Sequence, residues 1–147
     1  IAYEPSSANF TLLEKNIAVN ELKDSITAIN KAVGPKGKAI LIQDTCNTGQ
    51  STCLESRNDF GGVDRQEVDM IPLIEVLEGV ESCYLKIDCE GGELEIIPEI
   101  VGGLHTKIHT IFAEFHFEDT MYGQIRELEQ FYKSKELSKW EYQFIHK

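Results

Sequence analysis

No stretch of the 147-residue chain approaches the roughly 20 consecutive apolar residues that a membrane-spanning helix needs. The first residues also lack the charged start and apolar middle of a signal peptide, so a cytoplasmic protein is expected. Basic residues are scarce. With 14 Lys and Arg against 25 Asp and Glu the formal charge is −11, so nucleic acid and anionic membrane surfaces are excluded as favoured partners. The cysteines Cys46, Cys53, Cys83 and Cys89 form no Cys-x-x-Cys pair and lack the histidine spacing of a zinc site. They read as reduced thiols in or near the core, and no metal ligand is assigned.

What is present is ordinary for a folded domain: 41% apolar and 27% charged residues. That length fits one domain with its own core. Ile1 to Pro5 reads as a strand ending at an acidic residue and a proline. Ser6 or Ser7 can cap a following helix with the stripe Phe10, Leu13 and Ile17, running to about Leu22. Residues 25–33 and 38–43 are apolar runs around Gly34-Pro35-Lys36-Gly37, which predicts a hairpin or a bent continuation of the sheet. Residues 45–62 read as a long loop. Residues 68–71 suggest a short strand, and residues 73–77 a brief helix ending at Gly79.

Residues 83–88 form a compact apolar strand ending at Asp88, followed by Cys89-Glu90-Gly91-Gly92 and a helical run over 94–104 that Pro98 should kink or divide. Residues 108–117 are a further strand. Met121, Ile125, Leu128 and Tyr132 then recur at helical spacing, and Trp140, Tyr142 and Phe144 alternate as an edge or near-edge strand does. Strands alternating with helices imply an α/β domain with a mostly parallel sheet, whose ligands bind at the carboxyl ends of the strands.

Glu4, Asp88, Glu114 and His116 fall at such ends. A carboxylate there can accept both ribose hydroxyls of a nucleoside, which suits Glu4. Asp88, Glu90, Glu114 and His116 are candidate proton acceptors. Glu114 and His116, two apart, could form a base and its orienter on one face of the strand. The same four residues could instead gather a hard divalent cation. Glu93, Glu95 and Glu99 read as a solvated helix face, Lys86 as the partner of a nearby carboxylate or a side chain snorkelling at the sheet's edge, and His105, His109 and His146 as surface residues.

The segment Lys86-Ile87-Asp88-Cys89-Glu90-Gly91-Gly92-Glu93 resembles the Lys-Ile-Asp-x-Glu-Gly-x-Glu signature of the FkbM methyltransferases. Ile1 to Pro5, Asn9-Phe10 with Leu13 and Ile17, Ala32-Val33 with Gly37, and Glu114 with His116 follow that family's order. The resemblance implies a three-layer Rossmann-like sheet and S-adenosylmethionine as cofactor, with a hydroxyl of a small molecule, natural product or glycan as methyl acceptor. It places Glu4 on the ribose, Lys31 and Ala32 at the border of adenine, and Asp88 facing cofactor and acceptor. A non-catalytic domain keeping the sheet for protein contacts is the rival reading.

Two features depart from the family: Leu73-Ile74 stands where it commonly carries Leu-Asp, and its first strand with the glycine-rich turn has no counterpart here. The chain therefore reads as the C-terminal part of one methyltransferase domain, truncated at its N-terminus. The strands on either side of that gap are expected to pair directly or to be covered by another chain, as in a homodimer. Titrating these 147 residues with S-adenosylmethionine should show weak binding or none. Low-micromolar affinity would show that the cofactor site has been misplaced.

Overall fold

The computed structural model describes residues 1–45, 51–53 and 63–147. They divide into two compact units, Ile1–Ile71 and Pro72–Lys147.

In the first unit β1 (Ala2–Tyr3) leads through a turn into helix α1 (Ser7–Val19). Ser6 is the N-cap: its hydroxyl is fully buried, accepts from the Asn9 amide at 3.4 Å and donates to Gln43 Oε1 at 3.1 Å. Ile17 is the buried residue of the predicted stripe, and the helix stops three residues short of Leu22.

The apolar run over 25–33 is not one strand but two, β2 (Ala28–Ile29) and β3 (Ala32–Val33). β2 pairs in parallel with β1. β3 belongs to a second sheet with β4 (Gly37–Asp44), β5 (Ser51–Thr52) and β6 (Val63–Ile71), in the order β3-β6-β4-β5. No hairpin joins β3 to β4. β6 lies between them, parallel to β3 and antiparallel to β4, so the chain continues across the sheet around the Gly34–Gly37 turn. Ala32, Leu41 and Val68 form the buried cluster of this sheet, with Ala39, Cys53 and Met70 packed against it. Most of the loop expected over 45–62, and Cys46 with it, lies outside the described residues. Its Ser51 and Thr52 form β5.

The second unit contains α2 (Leu73–Val76), β7 (Cys83–Ile87), α3 (Glu93–Val101), a 3-10 turn (Leu104–Lys107), β8 (Ile108–Glu114), α4 (Glu118–Leu128), β9 (Tyr132–Glu136) and β10 (Glu141–His146). Its sheet runs β7-β8-β10-β9, with β7 parallel to β8 and the other pairs antiparallel. Ile96, Ile97 and Ile100 of α3 are buried, as are Ile108, Ile111 and Ala113 of β8, Met121, Ile125 and Leu128 of α4, and Phe144 of β10. Pro98 does not divide α3: its own side is exposed, and the burial of the three isoleucines outweighs one missing N–H bond. Glu99 caps α2 by accepting from the amides of Leu73 and Ile74 at 3.2 and 3.0 Å.

The fold is α/β, with mixed sheets and four α-helices among the described residues. The mostly parallel sheet expected from the sequence is not what forms. Among the described residues three strand pairings are parallel and four antiparallel. A link as short as residues 137–140 between β9 and β10 permits only the antiparallel return. Among the described residues β1 bonds to β2 within the first unit and β7 to β8 within the second. No helix there is long and apolar enough to cross a membrane.

Removing the Ser6 hydroxyl leaves the Asn9 amide without its cap. Ser6→Ala should lower stability by about 1–2 kcal/mol, seen as a shifted urea midpoint at unchanged slope. An unmoved midpoint would show that the cap contributes nothing.

Candidate functional site

In each unit a parallel pair of strands brings polar residues to its carboxyl end. In the first unit the β1–β2 register continues one step beyond the strands, with the Glu4 amide donating to the Ile29 carbonyl at 3.1 Å. Asn30 then ties the two ends together, its Nδ2 donating to the carbonyls of Glu4 (2.8 Å) and Pro5 (3.0 Å). Glu4 is half-buried, and its Oε1 accepts the Ser6 amide at 2.8 Å. Burial raises its pKa above the ordinary carboxylate value, against the lowering effect of the Ser6 N–H. Lys31 follows Asn30 at the same end, half-buried, and its amide donates back to the Ile29 carbonyl at 3.0 Å. The Ala32 side chain is packed into the core with Leu41 and Val68. Asn30 carried no signal beyond its place between an apolar run and Lys31.

In the second unit the cluster forms where β7 and β8 end. After Ile87 the chain turns through Glu90 and Gly91, both at positive φ (49° and 108°). The left-handed region costs a glutamate energy but not a glycine, so the turn stores strain at Glu90. This geometry brings four of the sequence-predicted residues together around one ring. His116 Nε2 lies 3.8 Å from Asp88 Oδ1, 3.6 Å from Glu90 Oε1 and 3.9 Å from Glu114 Oε1. None of these is a hydrogen bond. Asp88 also takes the exposed Lys86 ammonium on Oδ2 at 2.7 Å, as the sequence suggested for that lysine.

The other ring nitrogen has a different partner. Nδ1 lies 2.8 Å from Glu93 Oε1, which also accepts the His116 amide at 2.9 Å. Glu93 Oε2 accepts the Gly91 amide at 2.7 Å, and the Cys89 thiol donates to it at 3.5 Å. Two expectations change here. Glu93 is not on a solvated face: it is only 1% exposed, because it shares the buried side of α3 with Ile96, Ile97 and Ile100. The group that orients His116 is Glu93 and not Glu114, whose carboxylate is 40% exposed and too far from the ring to bond it. Glu95 is exposed, as expected, and Glu99 caps α2.

His105 is also less exposed than expected, since its ring stacks on Phe131 at 3.8 Å. His109 and His146 are exposed. Burial beside Glu93 and Asp88 pushes the Cys89 thiol far up, which leaves it neutral.

Burial alone would lower the pKa of His116, but Glu93, Glu90 and Glu114 outweigh it and the pKa is raised. Burial likewise opposes ionisation of Glu93, yet the His116 ring and the backbone amides hold its pKa below the ordinary value. Ligand atoms of Asp88, Glu114 and His116 all lie within 4.8 Å of one another, a spacing that would also suit a hard cation. The ammonium of Lys86 already brings one positive charge to that group.

The profile of the methyltransferase FkbM domain matches residues 1–142, and the chain belongs to this family. No curated protein and no solved structure matches it. The signature segment read from the sequence is the stretch that ends β7 and opens α3.

Stability should report the Glu93–His116 ion pair through pH. A raised histidine pKa contributes stability that is complete below 6.5 and is lost as pH rises through the raised value. A lowered carboxylate pKa contributes stability present above 4.5 and lost as pH falls through the lowered value. The drop in Tm caused by His116→Gln should therefore be largest between pH 4.5 and 6.5 and shrink on either side. A drop of the same size at every pH would rule the ion pair out as its cause.

Proposed function

We propose that the protein transfers the methyl group of S-adenosylmethionine to a hydroxyl of a small molecule, natural product or glycan. Glu4, Lys31 and Ala32 would serve the nucleoside of the cofactor, and the cluster around His116 the acceptor hydroxyl. Family membership supports the transfer. The observation that carries the assignment is the His116 ring, held on Nδ1 by a buried carboxylate while Nε2 faces Asp88, Glu90 and Glu114.

The residues present fit the cofactor. Glu4 is an acceptor fixed by the Ser6 amide at the end of a parallel pair, where the rule for α/β sheets puts ligands. Ribose hydroxyls would donate to its carboxylate. Lys31 and the backbone of Ala32 would border adenine, because the Ala32 methyl is committed to the core. Both parallel pairs are of the kind that a Rossmann-like three-layer sheet contributes.

When bound, S-adenosylmethionine supplies a sulfonium methyl group that needs little activation. The remaining task is to align the acceptor oxygen and remove its proton. His116 Nε2 is the group to take it. The resulting imidazolium would be stabilised by Glu93 through Nδ1–H and by the carboxylates of Glu90, Asp88 and Glu114 around Nε2. Asp88, Glu90 and Glu114 would also accept hydrogen bonds from neighbouring hydroxyls of a polyol or sugar, the acceptor class that such a cluster suits.

Calorimetry and product analysis on the intact protein test the two halves separately. Glu4→Ala should weaken S-adenosylmethionine binding about 10- to 100-fold, from lost charge-assisted hydrogen bonds of roughly 1.5–3 kcal/mol. Binding to the unsubstituted protein should weaken as pH falls through a value above 4.5, since Glu4 must be ionised to accept and its pKa is raised. Unchanged affinity in the variant would take Glu4 out of the site. His116→Ala should retain binding while methyl transfer falls about 10²- to 10⁴-fold. Full turnover in that variant would transfer the role of base to another residue.

A further inference from the structure

The proton acceptor proposed above needs a lone pair on Nε2, and in the neutral ring only one nitrogen can offer it. The three carboxylates on the Nε2 side would favour the opposite state, with the proton on Nε2 and turned toward them. Free imidazole side chains also favour Nε2–H in water. Something must overcome both preferences if His116 is to act as a base.

We propose that Glu93 is the positioning residue of the cluster: it holds neutral His116 as the Nδ1–H tautomer and keeps the lone pair of Nε2 directed at the acceptor hydroxyl. The inference rests on the reading of His116 as the proton acceptor. The distances decide between the two sides of the ring. Nδ1 is 2.8 Å from Glu93 Oε1, within hydrogen-bond range, whereas Nε2 is 3.6 to 3.9 Å from Asp88, Glu90 and Glu114, outside it.

Burial strengthens the same side, because Glu93 is 1% exposed whereas Glu90, Asp88 and Glu114 on the other side are 16%, 41% and 40% exposed. Glu93 is also occupied as an acceptor on both oxygens. Oε1 takes the His116 amide, and Oε2 takes the Gly91 amide. A carboxylate receiving backbone N–H groups on each oxygen is stabilised in its ionised form, and an ionised carboxylate can only accept. The hydrogen between Glu93 and Nδ1 therefore belongs to the ring.

With the Cys89 thiol, these contacts of Glu93 number four and join the turn after β7 to His116 beyond β8, so Glu93 fixes the position of the ring as well as its tautomer. Among the described residues, the charged and titratable groups facing the ring are Asp88, Glu90, Glu93 and Glu114, with Lys86 on Asp88. All but Glu93 are on the Nε2 side or beyond it.

Long-range 1H–15N correlation spectra of the intact protein, labelled on its histidine rings, read the tautomer without any substrate. The His116 signals are assigned by their loss in His116→Gln. Above the pH at which the ring titrates, His116 should show a protonated Nδ1 and an unprotonated Nε2. Glu93→Gln should shift it toward Nε2–H and lower kcat at least about tenfold with KM little changed. A protonated Nε2, or a rapidly exchanging mixture, in the unsubstituted protein would overturn the proposal. So would a folded Glu93→Gln protein with the original tautomer. Where Glu93→Gln does not fold, the tautomer of the unsubstituted protein still decides. If the protein transfers no methyl group at all, the Nδ1–H tautomer will nonetheless be present, so failure of the enzymatic reading is separable from failure of this one.

Discussion

The buried carboxylate of Glu93 is the constraint on which the second unit's site depends. It is desolvated almost completely, and it is kept ionised by the His116 ring, by two backbone amides and by a thiol. Removing an ion from water costs several kcal/mol unless hydrogen bonds replace the lost solvation, so those donors must stay where they are. Two of them come from the turn after β7 and two from His116, two residues beyond β8. The positive φ of Glu90 follows from the same demand: the turn must bring the Gly91 amide back onto Glu93. A strained residue at the signature is thus the counterpart of a satisfied one.

Much of this was legible in the sequence, and the exceptions have physical causes. The strands at residues 83–87 and 108–114 stood out as short apolar runs bounded by turn residues, although β7 buries only Ile87 and alternates half-buried with exposed positions. Helix α4 stood out by its stripe. β9 did not, because Tyr132-Lys133-Ser134-Lys135-Glu136 has four exposed residues in five and is a strand only through pairing with β10. The split of residues 25–33 into β2 and β3 was hidden for a similar reason: each piece is two residues long and owes its state to a different partner. The hairpin failed because β6, distant in sequence, takes the place between β3 and β4.

The candidate site was partly legible. Asp88, Glu90, Glu114 and His116 were picked out by their place at strand ends, and the structure gathers all four. Glu93 was missed, although a signal existed. Residues 93, 96, 97 and 100 lie at the spacing of one helix face, and three of them are isoleucine. A lone glutamate at the head of an apolar stripe is a buried charge awaiting partners. Grouping it with Glu95 and Glu99 by residue type concealed that.

In the proposed function the carboxyl ends of the β1–β2 and β7–β8 pairs each take part in binding. Hydrogen–deuterium exchange of the intact protein, with and without S-adenosylhomocysteine, measures this directly. Slowed exchange should concentrate at residues 4–6, 30–33, 88–93 and 114–116. Protection confined to other segments, or none at saturating ligand, would contradict the account.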